Sequence, residues 1–175
     1  MEEMVDDAMN DGALGVSSAL IYAPGNYAST EELIALAKVA ARSGGIYASH
    51  IRNEGDSEMQ ALDEAFRIGR EANIPVEIFH FKAAGKENWG KMPQAIAAVE
   101  KARAEGIDVN ADQYPYIASA TSLGAVIPPQ YHAGGTDAFM GRLKDPATRA
   151  QIRKELEAPP VGNLENMWRG TGGPE

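Results

Sequence analysis

Four short apolar segments recur along the chain at a nearly fixed interval, and each ends on a residue able to do chemistry. Ser17, His50, His80 and Asp112 are separated by 33, 30 and 32 residues. Between them lie stretches with the apolar spacing of helices. Residues 2–10 read as the end of a helix, and 13–16 as a buried strand following the Asp11-Gly12 turn signal. Ser29-Thr30-Glu31-Glu32 is a capped helix start with acids in its first turn, and Leu33, Ile34, Ala37, Val39 and Ala40 carry that helix to Gly44-Gly45. Residues 45–50 form the next strand. A helix then runs from Gly55-Asp56-Ser57, with Met59, Leu62 and Phe66 on one face, until Asn73 stops it. A third cycle follows, with strand 76–81, loop 83–90, a helix from 92 to 105 closed by Gly106, and strand 108–114.

The order is therefore βαβαβαβ. Regular alternation with short connections gives parallel strands covered by helices. In such folds the C-terminal ends of the strands converge and carry the site, so both His50 and His80 are expected on the functional rim. Beyond Tyr116 the cycle breaks. Residues 117–135 read as a long Ala/Ser/Gly/Pro-rich loop, 136–157 as helical and charged, and 162–175 show no clear element.

Composition removes several function classes. With 16 basic and 25 acidic residues the formal charge is −9, and no basic stripe is present, so binding to nucleic acid or an anionic membrane is not expected. No run approaches the ~20 apolar residues of a membrane span. The acidic start, MEEMVDDAMND, is unlike a secretory leader, and the expected location is cytoplasmic. Cysteine is absent, which excludes disulfides, thiolate zinc sites and thiol nucleophiles within this chain but leaves metals held by histidine and carboxylate. There is no Walker pattern, strand-linked GxGxxG fingerprint or GxSxG elbow.

His50 and His80 occupy equivalent places on neighbouring strands, so they can share a metal. The plain alternative is a pair of hydrogen-bonded histidines in a polar barrel mouth. Two histidines do not complete a zinc shell, which takes four donors, or three and a water. Lys82, two residues beyond His80, can hold a carboxylate or simply be solvated. Arg52 and Glu54, beyond His50, present the same choice. Asp112-Gln113-Tyr114-Pro115-Tyr116 offers an acid and two phenols that either touch substrate or cap and pack a turn. His132 lies in the long loop, as a lid residue or an ordinary surface histidine.

Four strings give the pattern a family. Residues 12–25 (GALGVSSALIYAPG), 49–55 (SHIRNEG), 79–82 (FHFK) with Asn88-Trp89-Gly90, and 112–116 (DQYPY) closely resemble, in order and in register, the D-aminoacylase (N-acyl-D-amino-acid deacylase) branch of the amidohydrolases. The resemblance implies an α/β fold, a partial (β/α)8 TIM-like metal-dependent hydrolase barrel of about strands four to seven with their helices. Residues 1–135 would form the partial barrel and 136–175 a helical segment and tail leading toward the rest. It implies Zn2+ as cofactor, with His50 and His80 as ligands, and Lys82 and Tyr114 as binders of the substrate carboxylate. The implied reaction is hydrolysis of the amide bond of N-acyl-D-amino acids, with a late aspartate outside this chain moving protons, so no catalytic residue is assigned here. The family's early His-x-His pair and its cysteine ligand also have no counterpart. An incomplete site implies that the chain alone is inactive, and open strand edges imply self-association. Ser119-Ala120-Thr121 replaces a run richer in hydroxyls, which bears on the D-amino acid preferred. Two other functions fit the repeats: a non-catalytic binding or scaffold module, and a cyclic-amide hydrolase such as a dihydroorotase or hydantoinase. The latter needs a bridging lysine that the Ser17-Ser18 strand does not offer.

Overall fold

A computed structural model describes residues 1–159 and 165–171. Four parallel strands, β1 (Gly15–Ala19), β2 (Ile46–His50), β3 (Val76–Ile78) and β4 (Val109–Ala111), hydrogen-bond in sequential order. The connecting helices are α2 (Thr30–Arg42), α3 (Glu58–Ala72) and α4 (Met92–Ala104), and α1 (Glu2–Asn10) precedes β1. Strand, helix and next strand thus repeat as the periodicity requires, giving one arc of a (β/α) barrel.

Strand register separates two faces. Val16, Tyr47, Val76 and Val109 are aligned across the sheet, as are Ser18, Ser49, Ile78 and Ala111 one pleat further on. These rows face the helices, and Tyr47, Val76, Ile78 and Val109 join Leu33, Ala37, Leu62, Ala65 and Ile68 in the core. The alternate row, Ser17, Ala48, Glu77 and Asn110, is on the opposite face, with Ser17 and Asn110 exposed. Small and polar residues there fit the interior of a barrel whose other strands lie outside this arc.

The local signals operate as their chemistry dictates. Ser29 Oγ accepts the Glu32 amide at 3.1 Å, satisfying an orphan donor at the start of α2. Asn73 adopts the left-handed conformation and ends α3. A Cβ on Gly69 would lie 2.6 Å from Val76 Cγ2, so glycine lets α3 lie close to β3.

Element ends differ from expectation for identifiable reasons. β1 begins at Gly15 rather than residue 13, and Leu14 is exposed. β3 ends at Ile78 because the chain turns at His80, whose φ is +41°. The ladder nevertheless runs on singly, with Phe79 N donating to Ser49 O and Phe81 N to Asp112 O. β4 is likewise shorter than residues 108–114. The segment 136–157 is two helices, α5 (Gly135–Lys144) and α6 (Pro146–Glu157), because Pro146 starts a new helix and Asp145 caps it by accepting from Thr148 N at 2.7 Å. Residues 117–135 contain two short 3-10 turns, Leu123–Val126 and Pro129–His132. Tyr22 and Tyr27 tie this loop back to the β1–α2 connection through Thr121 Oγ1 (2.9 Å) and Pro129 O (2.7 Å). The expectation for 162–175 falls partly outside the described residues, and within it α7 (Met167–Gly170) is a single turn. No helix among the described residues is long and apolar enough to cross a membrane.

Candidate metal centre

The rim is built by two loops stitched together through their backbones. After His50, Asn53 Oδ1 accepts the amides of Gly55 (2.9 Å) and Ser57 (3.0 Å), bending the chain into α3. After β3, Ala84 N donates to Glu54 O at 2.6 Å, and Asn88 Nδ2 holds Ala84 O at 2.8 Å. Arg52 fixes the first loop from beneath, with Nε and Nη2 on the two Glu64 carboxylate oxygens, both at 2.8 Å, and further bonds to Asn26 O and Ala28 O at 3.0 Å. Asp112, expected at the third rim position, accepts from the His80 backbone amide through Oδ1. It acts as the turn-capping acid, holding the left-handed His80 in place.

This scaffold brings His50 and His80 together, with ring centroids 4.5 Å apart and planes at 78°. Glu54 joins them: its Oε1 lies 2.9 Å from His80 Nδ1, 3.8 Å from His50 Nε2 and 2.6 Å from Lys82 Nζ. His50, Glu54 and His80 each turn a donor atom into a common region, all within 4.8 Å of one another. Lys82 also donates to His80 O at 3.0 Å and stands 5.6 Å from the centre of the Tyr114 ring. Tyr22 packs against the other side of His50, at 5.1 Å between centroids. His132 is placed elsewhere, stacked on Phe139 at 4.2 Å in the long loop.

Electrostatics suit the donor set. Burial is the main reason that His50 is held down to a pKa of about 4, so its imidazole is neutral at pH 7 with a lone pair to give. Its Nε2 is buried without a hydrogen-bond partner. Burial works against ionisation of Glu54, but the His80 hydrogen bond and the charge of Lys82 outweigh it and hold the carboxyl below its ordinary value. An orphaned neutral imidazole nitrogen, a second imidazole and an ionised carboxylate are a donor set that fits a divalent cation such as zinc.

Sequence reasoning named both histidines, Lys82 and Tyr114, but left Glu54 undecided. The available signal was a carboxylate four residues after a rim histidine. That spacing means little outside a helix, and only the Asn53 turn makes it bring Glu54 back over His80. Two further acids went unnoticed. Glu58 is fully buried, with neither carboxylate oxygen hydrogen-bonded, and burial pushes it up to about 7. Glu165 accepts from Glu54 N at 2.6 Å and is likewise pushed by burial to about 7. Its separation of 111 residues from Glu54 left no local signal.

Comparison with known proteins finds relatives of this segment. No protein-family model matches the chain. D-aminoacylase of Alcaligenes xylosoxydans xylosoxydans is 42% identical over 123 residues, and N-acyl-D-glutamate deacylase of the same organism is 45% identical over 123 residues. Over the matched segment the chain is similar to D-aminoacylase and to the N-acyl-D-amino-acid deacylases. Each match takes in 70% of this chain and 25% of the relative, so the chain spans about a quarter of the length of these proteins. Among solved structures, a D-aminoacylase described as defining a subset of the amidohydrolases superposes with a TM-score of 0.66 and 45% identity, over 67% of this chain and 25% of its own. N-acyl-D-glutamate deacylase from Bordetella bronchiseptica, solved with zinc and a phosphonate that mimics the tetrahedral intermediate, gives 0.64 and 38%, over 66% and 24%. A D-hydantoinase at 15% identity and a TM-score of 0.52, over 71% of this chain and 31% of its own, shares the fold. The fold is that of the amidohydrolase barrel, present here in part.

Proposed function

We propose that the protein carrying this chain hydrolyses the amide bond of N-acyl-D-amino acids, using a divalent metal, zinc in the first instance, held in part by His50 and His80. The observation that carries this is the convergence of two rim histidines, one with a buried unpartnered nitrogen, beside a lysine and a tyrosine suited to a carboxylate. A metal bound there supplies Lewis acidity, polarising an amide carbonyl and bringing the pKa of water down to about 7.

The chain's own residues then have distinct tasks. His50, kept neutral by burial, offers its lone pair without first losing a proton. Lys82 is a point charge beside the histidine pair. Its ammonium is held by Glu54 Oε1, His80 Nδ1 and His80 O, and its charge attracts the substrate's α-carboxylate. Tyr114 Oη, buried and without a partner, is a donor for the same group. Fixing the carboxylate next to the metal dictates how the neighbouring carbon is presented, which is how enantiomers are distinguished.

The test is an assay of the whole protein against N-acetyl-D-amino acids, their L-enantiomers and the corresponding α-amides. Hydrolysis confined to D-substrates with a free carboxylate is expected, with KM rising about tenfold or more in Lys82→Met, the scale of one lost charged contact. Equal turnover of the α-amides, or a Lys82→Met KM like that of the parent, contradicts the assignment.

A further inference from the structure

We infer that Glu165 is a positioning residue: from the far end of the chain its carboxyl group holds the Glu54 amide and so keeps the Glu54 side chain seated beside His80 and Lys82. This deepens the proposed function and rests on it for the identity of the site. Glu54 lies in the connection between β2 and α3, so its direction depends on what holds its peptide groups. Asn53 Oδ1 takes the amides of Gly55 and Ser57, at 2.9 and 3.0 Å, and the Glu54 amide is left to another acceptor. Glu54 O is held by Ala84 N at 2.6 Å.

The missing acceptor is Glu165, whose Oε2 takes the Glu54 amide at 2.6 Å across 111 residues of sequence. A carboxyl group keeps an accepting oxygen in either protonation state, so the bond needs no particular charge on Glu165. Glu54 is only 5% exposed, and a buried amide that loses its acceptor must move to find another. Glu165 is itself anchored by its neighbour. Asn166 Nδ2 donates to Leu156 O in α6 at 3.2 Å, and Asn166 Oδ1 accepts from Arg169 N at 3.3 Å to cap α7. In turn α7 packs against α6 and the Leu123–Val126 turn.

No ligand competes for this carboxyl group. The cavity between Glu165 and the rim loops, lined by Asn53, Asp56, Ala84 and Asn88, is about 30 Å³, room for a water or two and not for a substrate. Glu165 is therefore turned toward the protein's own backbone. The consequence reaches the site through one residue, because Glu54 Oε1 accepts from Lys82 Nζ at 2.6 Å and lies 2.9 Å from His80 Nδ1. A displaced Glu54 backbone disturbs both contacts, so the helical segment that follows the barrel arc sets the geometry of the metal centre and of the proposed carboxylate binder together.

NMR of the metal-free chain tests this directly. In the parent, the Glu54 amide is expected to exchange slowly with solvent, and the Glu54 methylene protons to show an Overhauser contact with the His80 ring. Glu165→Met, which removes the acceptor, loses the protection and the contact, and zinc affinity falls 10- to 100-fold, the scale for losing a group that orients a metal site. Glu165→Gln, which keeps an accepting oxygen, retains all three. Tyr27→Phe, which cuts a different tie to the same end of the chain by removing the donor to Pro129 O, leaves them unchanged. If Glu165→Met does not fold, Glu165→Asp carries the test, since it keeps the charge but withdraws the oxygen by one methylene, and the same losses are expected. A parent Glu54 amide that exchanges freely, a Glu165→Met or Glu165→Asp chain that keeps the His80 contact, or a Glu165→Gln chain as impaired as Glu165→Met overturns the proposal. The exchange and contact measurements need neither metal nor substrate, so a chain that takes up no zinc would count against the metal centre and leave this result standing.

Discussion

Arg52→Ala is expected to destabilise the chain by about 3–5 kcal/mol, the cost of breaking a buried ion pair by removing one partner. Arg52 and Glu64 are only 14% and 12% exposed at their side chains, and they pair through two parallel bonds of 2.8 Å. Both carboxylate oxygens therefore lose a charged donor, and only Thr30 Oγ1, at 2.7 Å from Oε1, remains. The carbonyls of Asn26 and Ala28 lose their donors as well. That second loss matters to the site, because these carbonyls belong to the connection that brings Tyr22 against His50. Urea denaturation measures the effect. Arg52→Met combined with Glu64→Met should recover much of the loss, since no charge is then left buried alone. A single-variant loss below about 1 kcal/mol would mean that the pair is effectively solvated.

A second large effect is expected from pH. Glu58 has a pKa of about 7 in the folded chain, raised by burial, against an ordinary 4.5, and Lys91, Glu54, Lys82 and Glu165 are the charged groups that act on it. Because the folded value is the higher one, the folded state holds the proton more tightly between those limits. The stability that this confers is complete below pH 4.5 and is lost as pH rises toward 7, at about 1.4 kcal/mol per pH unit and about 3 kcal/mol in all. Glu165 acts in the same window and direction. His50, a base whose folded value is lowered to about 4, acts oppositely as pH rises from about 4 to its ordinary 6.5. Only the difference between the parent and Glu58→Gln isolates Glu58. That difference should move in favour of Glu58→Gln by about 3 kcal/mol between pH 4.5 and 8. Parallel stability curves would show that Glu58 ionises freely in the folded chain.

The parallel arrangement was legible because period and local chemistry agree. Ser29 caps, Asn73 and Gly106 stop, and each apolar stripe closes a helix onto the strand that follows, so sequential order required no long-range information. His50 and His80 could be paired for the same reason, since equal positions in successive repeats become neighbours on the rim. What escaped was set by single backbone turns. The left-handed His80 cuts β3 short, and the Asn53 turn folds Glu54 over His80, yet neither leaves a periodic trace. Residues 136–157 read only as helical and charged, and the break between two helices that Asp145 and Pro146 make was not read. Glu165 reaches Glu54 from the far end of the chain, a contact that only tertiary packing specifies. The Arg52 clamp was ambiguous for a related reason: its partner Glu64 lies on a helix whose charged face looks like any solvated surface.

The central claim is that His50 and His80 on one barrel rim hold a metal. X-ray absorption at the zinc edge of the chain loaded with one equivalent of zinc tests it most directly. Two imidazole nitrogens at about 2.0–2.1 Å are predicted, with the imidazole scattering lost when both histidines are replaced by asparagine. Zinc that shows no imidazole scattering in the parent, or an unchanged spectrum in the doubly substituted chain, would contradict it.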